Sequence, residues 1–440
     1  MQLSEWSERA TALLGDHGAA PPALVQEDLR QALWQAHSLV CDAPNVVLQS
    51  FRDLPEAELV EASRRCLDAI TGPVAAAPEP PPHTIHALAL ATGAHVRALD
   101  ELLLTSARSN GPVSHPDVWL TRDGSAYVLP RYRGSRPEER GRDGRAYSRR
   151  GLLYHRILPA ELRGYRVVLT LHGDVARDQV GQASERSMGA ALLPGLTLAH
   201  VDVGGGFRIE DVICAGARDV VVRQVDSARA DGCYAVVWPE LTIPGELRQA
   251  IAGKLREGVM EPHGFSELQV VVAGTWHEPQ ADGSYKNVGS VLDGYGRLKL
   301  RFEKLLPFPD KELGREAIAY GEELQVLVTD EHLIAFAICR DFCDLSMDLP
   351  YPELDVDLVV VPSYGTEKTM TAHRGTAAKI RVLYGAHTFV VQQCEYSPTV
   401  PDELGWVLAC PIDPHAGELS ELRQNVDWRT YPWGTTFHSG

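Results

Sequence analysis

Two periodicities divide the chain. In residues 1–70 and 84–108 the apolar side chains recur every three or four positions, as at Leu29 and Leu33, which predicts amphipathic helices. From about residue 165 the apolar residues instead form short β-branched runs that are typical of buried strands. Helical stretches separate several of these runs. The pattern therefore predicts a mainly helical N-terminal region followed by a mixed α/β sheet.

The second part of the chain holds ten predicted strands. They lie at 166–171, 196–203, 234–238, 269–272, 288–292, 298–302, 324–328, 333–338, 358–361 and 388–391. Helices are expected at 209–230, 245–258 and 373–385. Turn residues at 293–296 and 329–332 each separate two strands, as in a hairpin. The glycine run 204–206 is interpreted as a strand-to-helix turn, because no Gly-Lys-Ser/Thr follows that would make it a phosphate cradle.

Composition suggests where the regions meet. Residues 71–83 are rich in Ala and Pro, which is typical of a linker. Residues 131–150 contain eight Arg and three acids, a pattern that favours a solvated loop over a patch for an anionic ligand. We expect a mainly helical region at 1–110, an Arg-rich connector at 111–192, an α/β domain at 193–412 and a C-terminal tail at 413–440.

Charge and cysteine content exclude several classes of protein. The net charge of −17 argues against nucleic acid as an obligatory partner. No apolar run reaches the ~18 residues of a membrane span, and residues 1–19 lack the apolar core of a signal peptide, so a cytoplasmic protein is expected. The eight cysteines are scattered, which favours free thiols. Neither Cys339 with Cys343 nor His83 with His86 has the further ligands of a metal site, and none is expected.

Three segments place a reactive side chain at the end of an apolar strand. The first, 234–241, contains Pro239-Glu240; the second, 301–308, contains Lys304; the third, 334–342, contains Cys339. Ligand sites in open α/β sheets gather at such strand ends. The chain has only seven lysines against 35 arginines, so a lysine at this position is informative.

The order and the flanks of these residues resemble the nitrilase, or carbon–nitrogen hydrolase, superfamily. Its Glu-Lys-Cys triad is matched by Glu240, Lys304 and Cys339, with gaps of 64 and 35 residues. The matching motifs are Pro239-Glu240, Phe302-Glu-Lys-Leu-Leu-Pro-Phe308 and Ile338-Cys-Arg-Asp341, and the resemblance covers about residues 195–412. The Glu-Asn pair that the family has after the arginine of a later helix is missing after Arg381, which indicates a divergent member.

Elementary chemistry supports the same roles. A thiol becomes a strong nucleophile when it loses its proton, and Glu240 would accept the proton of Cys339 as a general base. The ammonium of Lys304 would stabilise the oxyanion of a tetrahedral intermediate, with the backbone N–H of Arg340 as a second donor. Attack on an amide or nitrile carbon would then give a thioester.

The resemblance implies further features. It places a second glutamate at Glu312, puts Ser363 and Tyr364 with Arg340 at the oxyanion and substrate site, and requires no cofactor. It also implies a four-layer α-β-β-α sandwich whose protomers pair, so a homo-oligomer is expected. The expected substrate is a small linear amide or a carbamoyl compound, since Cys-Arg-Asp is closer to amidase and carbamoylase branches than to true nitrilases.

Other interpretations stay open at this point. Taken singly, Cys339 would often be a core residue, Lys304 a surface charge and Glu240 a helix cap. Cys343, one helical turn beyond Cys339, is an alternative nucleophile whose flanks fit less well. A function of another class is a divergent ligand-sensing or partner-binding protein that uses the same scaffold, and the uninterpreted residues 1–190 motivate this alternative.

Overall fold

The chain forms two compact units. The computed structural model describes residues 1–16, 26–71, 84–107, 113–131, 151–173, 186–257, 268–330, 332–344, 349–384, 386–409 and 420–433. The first unit extends to Glu161, and the second comprises Leu162–Gly173 with the described residues from Arg186 onward. None of the helices within these ranges combines the length and apolar character of a membrane-spanning segment.

The first unit is mainly helical, as the 3.6-residue periodicity predicts. Its helices are α1 (Leu3–Asp16), α2 (Gln26–Cys41), α3 (Asn45–Asp53), α4 (Glu56–Thr71) and α5 (Ile85–Ala107). A 3-10 turn at Pro116–Trp119 precedes an antiparallel pair of strands, β1 (Ala126–Pro130) and β2 (His155–Pro159). Leu29 and Leu33 of α2 are buried in one apolar core with residues of the other helices and of both strands. The unit thus has a core of its own.

The second unit is built on two large sheets. The first has the strand order β11-β10-β9-β8-β5-β20, formed by β5 (Arg186–Ala191), β8 (Cys233–Val237), β9 (Val270–Pro279), β10 (Tyr285–Leu292), β11 (Leu298–Glu303) and β20 (Trp428–Trp433). The second has the order β19-β18-β17-β16-β15-β14-β4-β3. Its strands are β3 (Glu161–Leu162), β4 (Tyr165–Leu171), β14 (Glu323–Val328), β15 (Leu333–Phe336), β16 (Leu358–Tyr364), β17 (His387–Gln393), β18 (Gly405–Ala409) and β19 (Ser420–Gln424).

A small third sheet and four helices complete the second unit in its described residues. The small sheet has the order β12-β13-β7-β6 and consists of β6 (Thr197–Val203), β7 (Gly206–Ile213), β12 (Pro309–Asp310) and β13 (Gly314–Glu316). The helices are α6 (Ala217–Ala230), α7 (Gly245–Glu257), α8 (Arg340–Cys343) and α9 (Glu367–Tyr384), and a 3-10 turn lies at Tyr351–Glu353.

The two large sheets pack face to face between helices. Phe302 of the first sheet and Phe336 of the second stack with ring centroids 5.1 Å apart inside one shared core. Because side chains alternate along a strand, Val237 faces this core while Val236 faces α6 and α7 on the outside. Helix α9 packs against β17 and β18 of the second sheet. The layers are helix, sheet, sheet and helix, which confirms the predicted α-β-β-α sandwich.

The sheets position the strand ends that carry the candidate site. Strands β5, β8 and β9 run parallel in the first sheet, and β15, β16 and β17 run parallel in the second. The backbone N–H of Tyr364, at the end of β16, donates to the carboxylate of Glu240, which follows β8. The carboxyl ends of strands from both sheets therefore meet at one end of the sandwich.

One predicted helix begins later than the sequence suggested. Residues 209–213 belong to β7, and α6 begins only at Ala217. Gly204 and Gly205 have φ angles of 60° and 84°, the pair of positive values that a tight two-residue hairpin turn requires. The glycine run therefore joins β6 to β7 in a hairpin, and its interpretation as a strand-to-helix turn was wrong.

The second unit is also longer than residues 193–412. Strands β4 and β5 lie before residue 193 and pair within the two large sheets. Strands β19 and β20 lie after residue 412 and extend the same sheets. Of the Arg-rich segment, Arg131 is buried and donates from Nε to the carbonyl of His155, while residues 132–150 lie outside the described residues. Of the linker expected at 71–83, Thr71 is the last residue of α4 and residues 72–83 lie outside the described residues.

Candidate active site

Glu240 lies in a tight turn directly after β8. The strand is apolar and buried throughout, and the chain then passes through Pro239 to Glu240, whose exposure is 2%. Leu241 has a φ of 56°, unusual for a residue with a side chain, and its N–H donates to Oγ1 of Thr275 at 3.1 Å. This turn leaves the Glu240 carboxylate inside the protein.

Lys304 follows β11 and is also buried, with 2% exposure. Its backbone N–H donates to the carbonyl of Asn287 on β10 at 2.9 Å, so the pairing of the two strands fixes its position. A buried ammonium requires partners of opposite charge. Nζ donates to Oε1 of Glu240 at 2.7 Å and to Oε2 of Glu316 at 2.6 Å.

Cys339 lies between β15 and α8 in a strained backbone conformation. Its φ of 44° and ψ of −103° fall outside the regions that residues with a Cβ normally occupy, and its exposure is 5%. Its N–H donates to the carbonyl of Pro362 at 3.0 Å, and its thiol donates to the carbonyl of Tyr364 at 3.4 Å. The neighbouring strand β16 thus holds the thiol at the turn.

Glu316 is the second glutamate of this cluster, and Glu312 is not part of it. Glu312 is exposed in the turn between β12 and β13, where its N–H donates to Asp310. Glu316, four residues later, has 2% exposure and accepts from Lys304 and from the N–H of Phe308 at 2.8 Å. The expectation for Glu312 is therefore corrected to Glu316, which the short strand β13 turns inward.

Two buried polar residues that the sequence did not indicate contact the carboxylates: Asn287 contacts both, and His277 contacts Glu316. The amide Nδ2 of Asn287 donates to Oε1 of Glu240 at 3.0 Å and to Oε1 of Glu316 at 3.1 Å. Nε2 of His277 lies 2.8 Å from Oε1 of Glu316. His277 follows Trp276 after the apolar run of β9, and Asn287 precedes the apolar run of β10, so the sequence pattern did not distinguish either residue.

The two carboxylates have opposite pKa shifts. Burial raises the pKa of Glu240 well above its usual range; the nearby Cys339 and Glu316 add to this, and Lys304 only partly offsets it. Burial also raises the pKa of Glu316, but Lys304 and the hydrogen bond from His277 outweigh it and bring that pKa to about 2. The surroundings of Glu316 thus favour its anion, and those of Glu240 favour binding of a proton.

The thiol and the ammonium complete the electrostatic pattern. Contact with Cys343 and burial raise the pKa of Cys339, so the thiol needs a base to lose its proton. Burial lowers the pKa of Lys304, but the charges of Glu240 and Glu316 outweigh it and raise the pKa overall. Lys304 therefore stays an ammonium group, which can donate to an oxyanion.

Asp341 ties the cysteine turn to the lysine segment. Its carboxylate is fully buried and accepts from the backbone N–H of Leu305 and of Leu306 at 2.9 Å each. Burial raises the pKa of Asp341 to about 7, although these two hydrogen bonds and the charge of Lys304 lower it. Helix α8 is thereby fixed against the residues that directly follow Lys304.

The remaining expected site residues surround the cluster. The N–H of Tyr364 donates to Oε2 of Glu240 at 3.2 Å. Ser363 is fully buried, and its Oγ lies 3.0 Å from Nε2 of His373, whose pKa burial lowers to about 3. The guanidinium of Arg340 donates to Asp344 at 2.8 Å, and the backbone N–H of Arg340 is at the first position of α8, directly after Cys339 in the chain.

The other candidates from the sequence lie beside the cluster or away from it: Cys343 contacts Cys339, and His86 is in the first unit. The thiol of Cys343 is partly exposed and lies one turn after Cys339. Nε2 of His86 faces the carboxylate of Glu58 at 3.5 Å, while His83 is beyond the part of the chain that the structure describes. No group of three or more potential metal ligands occurs among the described residues.

Two solved structures show what this chain is similar to. An amidase from Nesterenkonia sp. AN1, of the nitrilase superfamily, has 16% identity and a TM-score of 0.40, over 58% of this chain and 93% of its own. Glutamine-dependent NAD+ synthetase from Acinetobacter baumannii also has 16% identity and a TM-score of 0.40, over 57% of this chain and 45% of its own. No protein-family model and no curated protein matches the sequence.

Proposed function

We propose that the chain is a thiol hydrolase that cleaves the carbon–nitrogen bond of a small linear amide, with a carbamoyl compound as the close variant. One observation carries the proposal: a cysteine on a strained turn lies beside a buried ammonium that two carboxylates hold. An ion pair with a purely structural role would need only Glu316. Acid–base catalysis also needs a carboxylate with a raised pKa, and Glu240 is that group.

The first step is activation of the nucleophile. Glu240 accepts the proton of the Cys339 thiol, and the sulfur attacks the carbonyl carbon of the amide. The raised pKa of Glu240 supports this role, because a carboxylate that binds its proton more tightly is a stronger base. The raised pKa of Cys339 explains why the base is needed.

The second step is stabilisation of the tetrahedral intermediate. The negative charge that develops on the substrate oxygen is matched by Nζ of Lys304 and by the backbone N–H of Arg340. When the intermediate collapses, the C–N bond breaks and Glu240 gives its proton to the leaving nitrogen. Ammonia or an amine departs, and the acyl group stays on Cys339 as a thioester.

The third step is hydrolysis of the thioester. Glu240, again a carboxylate, takes a proton from water as the water attacks the thioester carbon, and then returns that proton to the departing sulfur. A carboxylic acid leaves and the thiol is restored. Burial of the whole cluster, with exposures of 2% for Glu240, 2% for Lys304 and 5% for Cys339, favours a small substrate over a polypeptide.

Ammonia release from a panel of linear amides and carbamoyl compounds tests the proposal. We expect the full chain to release ammonia from at least one of them, Cys339→Ala to fall to background, and the matched variant Cys343→Ala to retain most activity. Equal inactivity of wild type and Cys339→Ala, with equal binding of the same compounds, would favour a ligand-sensing protein instead. Loss of activity only in Cys343→Ala would move the nucleophile to that residue.

A further inference from the structure

His277, near the end of β9, is a buried imidazole with a partner at each ring nitrogen. The backbone N–H of Ile209 donates to Nδ1 at 2.9 Å, and Nε2 lies 2.8 Å from Oε1 of Glu316. The side chains of His277 and Glu316 are 0% and 1% exposed, so water does not replace either bond. A backbone N–H only donates, so Nδ1 is the acceptor, and in the neutral ring Nε2 carries the proton.

The donor to Nδ1 comes from the hairpin β6–β7, which also holds the strand of Glu316. Strand β7 pairs in parallel with β13, where Phe207 lies opposite Glu316. The two backbones approach closely, because a Cβ on Gly206 would lie 2.2 Å from the carbonyl oxygen of Arg315. The same strand therefore positions both partners of the bond between His277 and Glu316.

We infer that His277 is a positioning residue for Glu316 and that the hairpin β6–β7 sets the tautomer of His277. The Nε2–H donor keeps Glu316 ionised and in contact with Lys304, because a hydrogen bond to the charged form of an acid favours that form. With the ammonium charge balanced by Glu316, Glu240 remains the group that exchanges protons. The catalytic part of this inference rests on the proposed function; the tautomer does not.

Two substitutions each keep one hydrogen bond of the His277 imidazole and remove the other. In His277→Gln the amide nitrogen reaches the place of Nε2, so the donor to Glu316 is kept and the acceptor for Ile209 is lost. In His277→Asn the shorter amide keeps an acceptor near Nδ1 and loses the donor to Glu316. We expect both variants to unfold at a lower temperature than wild type, because each leaves one buried group without its hydrogen-bond partner. The kcat of His277→Gln should stay close to wild type, whereas that of His277→Asn should fall about tenfold or more, with KM little changed in both.

The tautomer of His277 is measured by NMR, and the measurement needs no substrate. In the nitrogen NMR spectrum of the full chain labelled with ¹⁵N-histidine, the signal lost in His277→Gln should show a protonated Nε2 and an unprotonated Nδ1 at pH 7. A proton on Nδ1, or equal kcat values for His277→Asn and His277→Gln, would overturn the inference. If the wild type releases no ammonia, the proposed function fails; the rate of Cys339 alkylation by iodoacetamide then replaces kcat, with the same order of variants expected.

Discussion

Glu240 and Glu316 bind the same ammonium group, yet burial raises the pKa of one while hydrogen bonds and charge bring that of the other to about 2. The difference lies in their other partners. Glu316 also accepts from His277 and from the N–H of Phe308, both at 2.8 Å. Glu240 instead accepts from the N–H of Tyr364 at 3.2 Å and interacts electrostatically with the thiol of Cys339. Each donor to a carboxylate favours its charged form, and each neighbouring negative charge disfavours it. Adjacent groups thus favour different charge states in the two carboxylates, as the proposed roles of anion and base require.

This division predicts how pH dependence changes in Glu316→Gln. The charge of Glu316 raises the pKa of Glu240, so its removal lowers the pKa of Glu240. The base then stays ionised to lower pH, and the acid limb of kcat/KM moves to lower pH. The measurement is kcat/KM against pH with an amide that the wild type hydrolyses. The matched variant Glu312→Gln, at the exposed residue four positions earlier, should leave the profile unchanged. An upward movement in Glu316→Gln would contradict the assignment.

At the scale of elements, strands with a clear apolar pattern were predictable from the sequence, and strands without one were not. The segments at β8 and β15 are apolar and buried, and β11 alternates apolar and polar residues, so the ends of these strands located Glu240, Lys304 and Cys339 from the sequence. Strand β13 has three residues, too few for an alternating pattern to show that Glu316 points inward. Strand β7 is partly exposed, and its polar positions resemble those of a helix surface until the hairpin turn is recognised. Tertiary pairing decides both cases.

Contacts between elements also decide where Lys304 lies. Helix α8 has only four residues, so its own hydrogen bonds stabilise it little. Its anchor is the Asp341 carboxylate, which accepts from the backbone at Leu305 and Leu306. The turn that carries Cys339 and the segment that follows Lys304 are therefore held together, although Cys339 lies 35 positions after Lys304 in the sequence.

Asp341→Asn tests this anchor. In the wild type both backbone N–H groups have a carboxylate oxygen as acceptor, but in the variant one of them would face the amide NH2 of asparagine. We therefore expect a loss of about 1–3 kcal/mol in the free energy of unfolding. We also expect a lower kcat, because Lys304 loses its support. Urea unfolding and ammonia release measure the two effects. The control is Asp219→Asn, an exposed residue in the first turn of α6. Equal stability of the two variants would show that Asp341 is not an anchor.

At the scale of the whole molecule, each unit has its own apolar core. Leu33 is fully buried in the core of the first unit, and Leu327 is fully buried between the two large sheets of the second. The residues of the candidate site all belong to the second unit. Since burial of apolar surface is the main stabilising term, each core should support the folding of its own unit.

Matched core substitutions test whether the units unfold separately. Leu33→Ala and Leu327→Ala each remove the same apolar volume, which costs about 2–5 kcal/mol in a buried site. In calorimetry we expect two unfolding transitions, one for each unit. Leu33→Ala should lower the midpoint temperature of the first unit's transition, and Leu327→Ala should lower that of the second unit's transition. Ammonia release after heating identifies the transition of the second unit, because the cluster around Cys339 lies there. Leu33→Ala should leave the temperature of activity loss unchanged, whereas an equal fall in both variants would mean that the two cores unfold as one.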